Sequence, residues 1–139
     1  MLGANARASI KELAGELGMS SPATAERLRR LSERGIVRRF SVEIDRETVG
    51  YGLEAIVRIR PLPARAHVVE KLIRENPAII ECDKVTGDDC YFARVVIRSI
   101  HEIDSVMAEI AENAMNSTAV VKSQLVKRRL PPLIPDRGG

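Results

Sequence analysis

The sequence predicts an α+β protein in which two short N-terminal helices precede a small mixed domain. Between Ser9 and Gly35, apolar residues recur with the spacing of amphipathic helices, and a tight turn separates the two runs. From Leu53 onward, alternating and helical patterns follow in the order strand, helix, strand, strand, helix, strand. The chain of 139 residues is long enough for two small domains of this kind.

The first helix is predicted to begin at Ser9, because a serine followed three residues later by Glu12 forms a capping box. It ends at Gly18, since glycine readily adopts the left-handed conformation that closes helices. Its predicted apolar face consists of Ile10, Leu13, Ala14 and Leu17.

The second helix is predicted to begin at Ser21-Pro22, because the serine can cap a first turn and proline fits the first helical position. It runs to about Arg34, and Gly35 stops it. The predicted core side consists of Ala25, Leu28 and Leu31. The opposite, basic side consists of Ala23, Arg27, Arg30 and Arg34.

Two such helices with a short turn are typical of a helix-turn-helix, whose second helix enters the major groove of DNA at its N-terminal end. We therefore predict that this end reads base edges, and that the arginines behind it contact phosphates. The predicted base-edge residues are Ser21, Ala23, Thr24 and Arg27. The predicted phosphate-contacting residues are Arg30, Arg38 and Arg39. The alternative is a solvated charged face on an ordinary two-helix hairpin.

The charge distribution supports DNA binding. Residues 1–39 contain eight basic and four acidic side chains, whereas the whole chain contains 22 basic and 19 acidic ones. The excess positive charge therefore lies in the segment predicted to bind DNA.

Other features of the chain predict a cytoplasmic protein. The N-terminus does not resemble a signal peptide, and no apolar run approaches the ~20 residues of a membrane span. The spacing of Cys82 and Cys90 matches neither a C-x-x-C redox pair nor a zinc-ligand set, which favours free thiols.

The remaining patterns define the predicted domain boundaries. Residues 36–45 are predicted to form an extended connecting strand, and residues 46–52, with two glycines, a hinge. The boundaries are 1–39 for the helix-turn-helix, 40–52 for the linker, 53–130 for the second domain and 131–139 for a tail, whose Leu133 and Ile134 could dock on a neighbouring subunit.

The second domain begins with a half-buried strand from Leu53 that Pro61 stops, followed by a helix that Asn76-Pro77 terminates. Strands over 79–85 and 91–97 surround a turn at 86–89. A second capping box, Ser99 to Glu102, opens a helix whose apolar side continues to Ala114. The last strand is predicted over 120–126.

This order predicts a ferredoxin-like βαββαβ domain, with both helices on one face of an antiparallel sheet. The other face is predicted to be apolar and uncovered, which indicates a face-to-face homodimer. The residues placed on this face are Ile56, Ile80, Phe92 and Val96.

From about Ala6 to Arg129 the chain resembles the Lrp/AsnC family of transcriptional regulators. The most specific segments are residues 20–31, Gly35-Ile36-Val37, and Val85-Thr86-Gly87-Asp88. The resemblance implies a DNA-binding domain joined to an amino-acid-sensing domain, assembled as dimers and higher even oligomers. It also implies that a bound amino acid controls activation or repression.

The family resemblance also implies that the hairpin loop of the second domain helps form the effector pocket. Carried onto this chain, the effector residues are Thr86, Gly87, Asp88, Asp89, Cys90 and Tyr91. Without the resemblance, residues 86–89 are simply a polar hairpin turn. The sequence departs from the family pattern at Cys90, where an acidic residue is usual, and at Asn116-Ser117, where Pro-Gly is usual. The helix that normally precedes the capping-box helix is also missing, so we expect the native start to lie upstream.

The sequence leaves two other functional classes open. Siroheme decarboxylases are similar to this pairing of domains, but such chemistry favours clustered histidines, and His67 and His101 both lie on predicted helices. No catalytic motif, metal site or cofactor site is predicted, so an enzyme is not expected. The third class is a ligand-binding or oligomerisation module without DNA binding.

Overall fold

A computed structural model describes residues 1–88 and 90–133. The predicted effector residue Asp89 and the predicted docking residue Ile134 therefore lie outside the described residues. The chain divides into two compact units. The first comprises residues 1–44 together with the described residues 128–133, and the second comprises residues 45–127. The domain boundaries assigned from sequence stay a prediction.

The first helix, α1 (Ile10–Leu17), confirms the predicted capping box. The Ser9 hydroxyl oxygen accepts a hydrogen bond from the Glu12 backbone at 3.1 Å, and the Glu12 carboxylate accepts one from the Ser9 backbone at 2.7 Å. Gly18 closes the helix with φ of 64°. Leu13 and Ala14 of the predicted apolar face are buried, whereas Leu17 of the same face is 45% exposed.

The second helix, α2 (Ser21–Glu33), begins one residue earlier than predicted, at Ser21 instead of Pro22. Ser20 is the N-cap, and its hydroxyl oxygen accepts a hydrogen bond from the Ala23 backbone at 3.3 Å. Ser21 is therefore the first helical residue, and its predicted capping role is wrong. Gly35, with φ of 70°, follows the helix end as predicted.

The core-facing side of α2 also differs from the prediction. Thr24 is buried and Leu28 and Leu31 are half-buried, whereas Ala25 is exposed. Positions 24, 28 and 31 follow the i, i+4, i+7 spacing of one helix face. The buried face of α2 therefore includes position 24 in place of position 25.

The predicted strand over 36–45 is wrong, because no residue there pairs with a neighbouring strand in the described part of the chain. Val42 is 87% exposed, and without a ladder its alternating pattern forms no sheet. At the start of the second unit the chain makes an ordered turn. The Asp45 carboxylate accepts hydrogen bonds from the backbone N–H groups of Glu47 at 3.0 Å and Thr48 at 3.3 Å.

The second unit confirms the predicted element order and the ferredoxin-like fold. The sheet is antiparallel, and its strand order is β2-β3-β1-β4. The elements are β1 (Leu53–Pro61), α3 (Ala66–Glu75), β2 (Ile79–Lys84), β3 (Tyr91–Ile97), a 3₁₀ turn (Ile100–Glu102), α4 (Ile103–Asn113) and β4 (Ala114–Val120).

One face of this sheet forms the core. Alternate residues of β1 and β3 are fully buried, and they pack with Val69 of α3 and Ile110 of α4. Burying each such aliphatic side chain contributes roughly 1.5–3 kcal/mol, so both helices are held on this face. The sheet residues that share it are Ala55, Val57, Ile59, Tyr91, Ala93, Val95 and Ile97.

The last strand begins earlier than predicted. β4 starts at Ala114, and it pairs with β1 from Pro61↔Ala114 to Ala55↔Val120. The predicted strand over 120–126 and the helical placement of Ala114 are therefore wrong. β4 lies at the sheet edge, so its polar residues are exposed and do not show the alternation of a half-buried strand.

The second predicted capping box is also wrong. Ser99 makes no side-chain cap, and the Glu102 carboxylate instead accepts a hydrogen bond from the Arg98 backbone at 2.9 Å. The first turn here is 3₁₀ rather than α-helical, which changes the position of the glutamate relative to the serine.

The sheet face opposite the helices is mixed rather than bare and apolar. Ile56, Phe92 and Val96 lie on it as predicted, since Glu54 pairs with Val96, Ile56 with Arg94 and Arg58 with Phe92 in the register. Charged residues therefore alternate with apolar ones across the strands, and Arg94 lies 2.9 Å from the Glu54 carboxylate. Ile80 lies at a bulge between β2 and β3 and has no partner in their register.

Candidate nucleic-acid interface and effector site

The basic side of α2 lies on the surface. Ala23, Arg27, Arg30 and Arg34 are all exposed, while Thr24 and Leu28 lie on the buried side. The predicted basic stripe is therefore present on the surface of the first unit. The N-terminal end of α2 follows the Ser20 cap. A helix-turn-helix inserts this end of its second helix into the major groove.

Not all arginines of α2 are equally available for DNA. Arg29 forms ion pairs with Glu26 at 2.6 Å and with Glu33, and Arg30 lies 3.2 Å from Glu26. The hydrogen bond from Arg29 to the Glu26 carboxylate is the main reason that the pKa of Glu26 falls to about 2. The charges of Arg29 and Arg30 are thus partly compensated along the helix.

Arg27 differs from these two arginines. Its guanidinium contacts the Met19 sulfur at 3.3 Å. Among the described residues, no carboxylate forms an ion pair with Arg27, Arg38 or Arg39, and all three are exposed. No described carboxylate compensates their positive charges, which leaves all three guanidinium groups available for phosphate or base-edge contacts.

The prediction that Thr24 contacts bases is wrong. Thr24 is 3% exposed, and its hydroxyl donates a hydrogen bond to the Ser20 carbonyl oxygen at 2.9 Å. A buried hydroxyl that is already bonded to the backbone of its own helix cannot reach a groove. In the sequence, Thr24 lies four residues before Leu28, and this i, i+4 spacing could have indicated that both residues lie on the core side of α2.

The β2–β3 loop carries the predicted effector residues. Thr86, Gly87 and Asp88 are exposed, and Cys90 is half-buried. The backbone N–H of Val85 donates to the Cys90 carbonyl oxygen at 2.8 Å, and this bond closes the loop. Gly87 has φ of 103°, a conformation that residues with a side chain rarely adopt.

The loop is also held from β1. Nε of Arg60 donates a hydrogen bond to the Asp88 carbonyl oxygen at 2.9 Å. This contact uses the backbone carbonyl of Asp88 and not its carboxylate.

The assignment of Tyr91 to the effector site is wrong. Tyr91 is 4% exposed and belongs to the core on the helix-covered side of the sheet. Its hydroxyl donates to the Glu70 carboxylate of α3 at 2.6 Å, and Lys84 lies 2.7 Å from the same carboxylate. Burial and then this hydrogen bond raise the pKa of Tyr91. Sequence reasoning missed Glu70, since an acidic residue on a predicted helix looks like an ordinary surface residue.

The residues considered for catalysis or disulfide bonding are dispersed. His67 lies exposed on α3, and His101 lies exposed in the 3₁₀ turn. Cys82 and Cys90 are free thiols, as predicted, and burial raises the pKa of Cys82.

Among residues 1–88 and 90–133, no group of three His, Cys, Asp or Glu side chains is placed to hold a metal ion. Within the same residues, every helix is too short or too polar to cross a membrane.

Comparison with known proteins matches two family models to the chain. Residues 1–38 match the family model for winged helix-turn-helix DNA-binding domains. Residues 54–131 match the model for the Lrp/AsnC ligand binding domain. The two matches together cover most of the chain.

Curated relatives and solved structures agree with these matches. The transcriptional regulator LrpA of Mycobacterium tuberculosis is 32% identical over 114 residues, which cover 81% of this chain and 76% of the relative. LrpC of Bacillus subtilis is 25% identical over 121 residues, covering 87% and 84%. A feast or famine regulatory protein from M. tuberculosis, solved with L-methionine, is 28% identical, with a TM-score of 0.85 and coverage of 94% and 90%.

A helix-turn-helix joined to a ferredoxin-like ligand-binding domain defines a DNA-binding transcriptional regulator that responds to an effector. The chain belongs to the Lrp/AsnC family.

Proposed function

We propose that this chain regulates transcription by binding DNA through α2 and that a free amino acid controls this activity. The observation that carries the proposal is the exposed Arg27 guanidinium, which no carboxylate among the described residues neutralises. The proposed base-edge residues are Ser21, Ala23 and Arg27. The proposed phosphate-contacting residues are Arg30, Arg38 and Arg39.

The chemistry of the β2–β3 loop suits an amino acid. A free amino acid carries an α-carboxylate and an α-ammonium group. The glycine backbone at 87 can approach a carboxylate closely, and the exposed Asp88 side chain can pair with an ammonium group. The proposed effector residues are Thr86, Gly87, Asp88 and Cys90, and the assignment of Asp89 remains a prediction from the family resemblance. The L-methionine bound by the M. tuberculosis relative supports this class of ligand.

We further propose that the chain forms a homodimer through the open face of its sheet, and that dimers build higher even oligomers. Ile56 and Phe92 supply apolar area on this face, while Arg58 and Arg94 supply charge. Such a mixture is typical of interfaces between folded subunits. A two-fold dimer would present two helix-turn-helix units to one DNA duplex. Sedimentation showing a stable monomer at micromolar concentration would contradict this arrangement.

We propose that the protein acts by binding rather than by catalysis. The curated relatives are named as transcriptional regulators, which supports this view. The dispersed positions of His67 and His101 offer no paired acid and base. A tetrapyrrole-like absorbance in the purified protein would instead favour the siroheme-decarboxylase alternative.

One set of binding experiments tests the proposal. DNA affinity is measured at two salt concentrations with and without each of the twenty amino acids, and the same amino acids are screened by thermal shift. We expect affinity to fall steeply with salt and at least one amino acid to raise the melting temperature. Arg27→Ala should relax base preference, whereas Arg39→Ala should weaken binding to all sequences equally. A wild-type chain that binds no DNA at low salt would support a ligand-binding module instead.

A further inference from the structure

The C-terminal segment of the chain belongs to the DNA-binding unit. Residues 128–133 cluster with residues 1–44, although more than eighty residues of sequence separate the two. Leu130 lies against the N-terminal turn, because a Cβ atom on Gly3 would be 2.5 Å from Cδ1 of Leu130. The Leu130 side chain, 63% exposed, thus contacts Gly3 and places the segment beside the N-terminal turn of the first unit.

Two arginines directly precede this contact. Arg128 and Arg129 are both exposed, and within the described residues neither forms an ion pair. They differ in this respect from Arg29 and Arg30, whose charges are compensated by Glu26. Arg128 and Arg129 therefore resemble Arg27, Arg38 and Arg39 in their availability to an anion.

The charge balance of the two units agrees with this grouping. Residues 1–44 contain eight basic and five acidic side chains, and Arg128 and Arg129 add two more positive charges to this unit. Residues 45–127 contain eleven basic and thirteen acidic side chains, so the second unit is negative. An arginine pair held on the positive unit favours a polyanion as its partner.

We infer that Arg128 and Arg129 form a second phosphate-contacting surface for double-stranded DNA, in addition to α2. This inference rests on the proposed DNA-binding function. Leu130 limits the freedom of the arginines, so less conformational entropy is lost when they meet the duplex. Contacts of this kind are independent of base sequence, so the surface adds affinity and salt dependence without adding specificity.

The test compares the full chain with the double variant Arg128→Ala/Arg129→Ala on a labelled random-sequence duplex. Each phosphate contact adds about 0.9 to the slope of log affinity against log salt concentration, so the double variant should lose about 1.8. The factor by which the double variant binds more weakly than the wild type should be about tenfold smaller at about 200 mM salt than at about 50 mM salt. The matched control is Arg65→Ala/Lys122→Ala, which removes the same charge from exposed positions of the second unit and should keep the wild-type slope.

A second variant tests the Leu130 contact separately from the charges of the two arginines. Leu130→Ser keeps both arginines but removes the contact with Gly3, and we expect it to weaken binding with little change in slope. An unchanged affinity in Leu130→Ser would contradict the anchoring step. A wild-type slope in Arg128→Ala/Arg129→Ala would overturn the second surface while leaving DNA binding by α2 intact. A wild-type chain that fails to bind the duplex at low salt would instead overturn the proposed function.

Discussion

The hydroxyl of Tyr91 donates a 2.6 Å hydrogen bond to the carboxylate of Glu70, which joins the first residue of β3 to α3. Lys84, the last residue of β2, lies 2.7 Å from the same carboxylate. One helical carboxylate therefore holds both strands at the base of the β2–β3 loop. The loop proposed to bind the effector is thus supported from the helix side of the sheet.

Tyr91→Phe tests this support. The change removes the hydroxyl but keeps the buried ring, so we expect the free energy of unfolding to fall by about 1 kcal/mol in urea denaturation. Tyr51→Phe is the matched control, because the Tyr51 ring lies exposed beside Arg98 and should change stability by less than about 0.5 kcal/mol. Loss of amino-acid binding without loss of stability in Tyr91→Phe would show that Tyr91 contacts the ligand after all.

Glu70 also makes stability depend on pH. The hydrogen bonds from Lys84 and Tyr91 lower the pKa of Glu70 from its ordinary value of 4.5 to about 2. A carboxyl group with a lowered folded-state pKa stabilises the fold fully above its unfolded pKa, and this contribution is lost as the pH falls toward the folded value. We therefore expect the melting temperature to drop between about pH 5 and about pH 2.

Glu70→Gln should flatten this drop, because the amide does not titrate. Glu112→Gln removes one negative charge from an exposed position of α4 and serves as the control, with the wild-type profile expected. Glu26 has a pKa lowered to about 2 as well, so part of the acid transition should remain in Glu70→Gln. Identical acid profiles for Glu70→Gln and the wild type would contradict the prediction.

The cap of α2 can be tested with two neighbouring serines. Ser20→Ala removes the hydroxyl oxygen that accepts the Ala23 backbone N–H, so stability should fall by about 1 kcal/mol. Ser21→Ala changes only the first helical residue and should alter stability by less than about 0.5 kcal/mol. Chemical denaturation of both variants is the measurement, and the reverse order would restore Ser21 as the cap.

Thr24 and Arg27 should show opposite effects. Thr24→Val keeps the buried volume but loses the hydrogen bond to Ser20, so stability should fall by about 1 kcal/mol while DNA affinity measured well below the melting temperature stays unchanged. Arg27→Ala should leave stability unchanged and cost about 1–3 kcal/mol of discrimination between operator and mismatched DNA. A selective loss of operator binding in Thr24→Val would return Thr24 to the interface.

Local signals of the sequence were sufficient for much of this protein. The Ser9–Glu12 capping box, the left-handed closure at Gly18 and the exposed basic side of α2 depend on neighbours within one or two helical turns. The order of strands and helices in the second unit also follows from short-range periodicity. The family resemblance was visible for the same reason, since its motifs are short and contiguous.

Tertiary structure decided the features that depend on distant contacts. Packing of α3 on the sheet brings Glu70 to the Tyr91 hydroxyl, and pairing with β1 makes Ala114 the start of β4 rather than the end of a helix. The contact between Leu130 and Gly3 returns the C-terminal arginines to the N-terminal unit. Residues far apart in the chain carry no local pattern that records their pairing, so only the folded arrangement reveals these contacts.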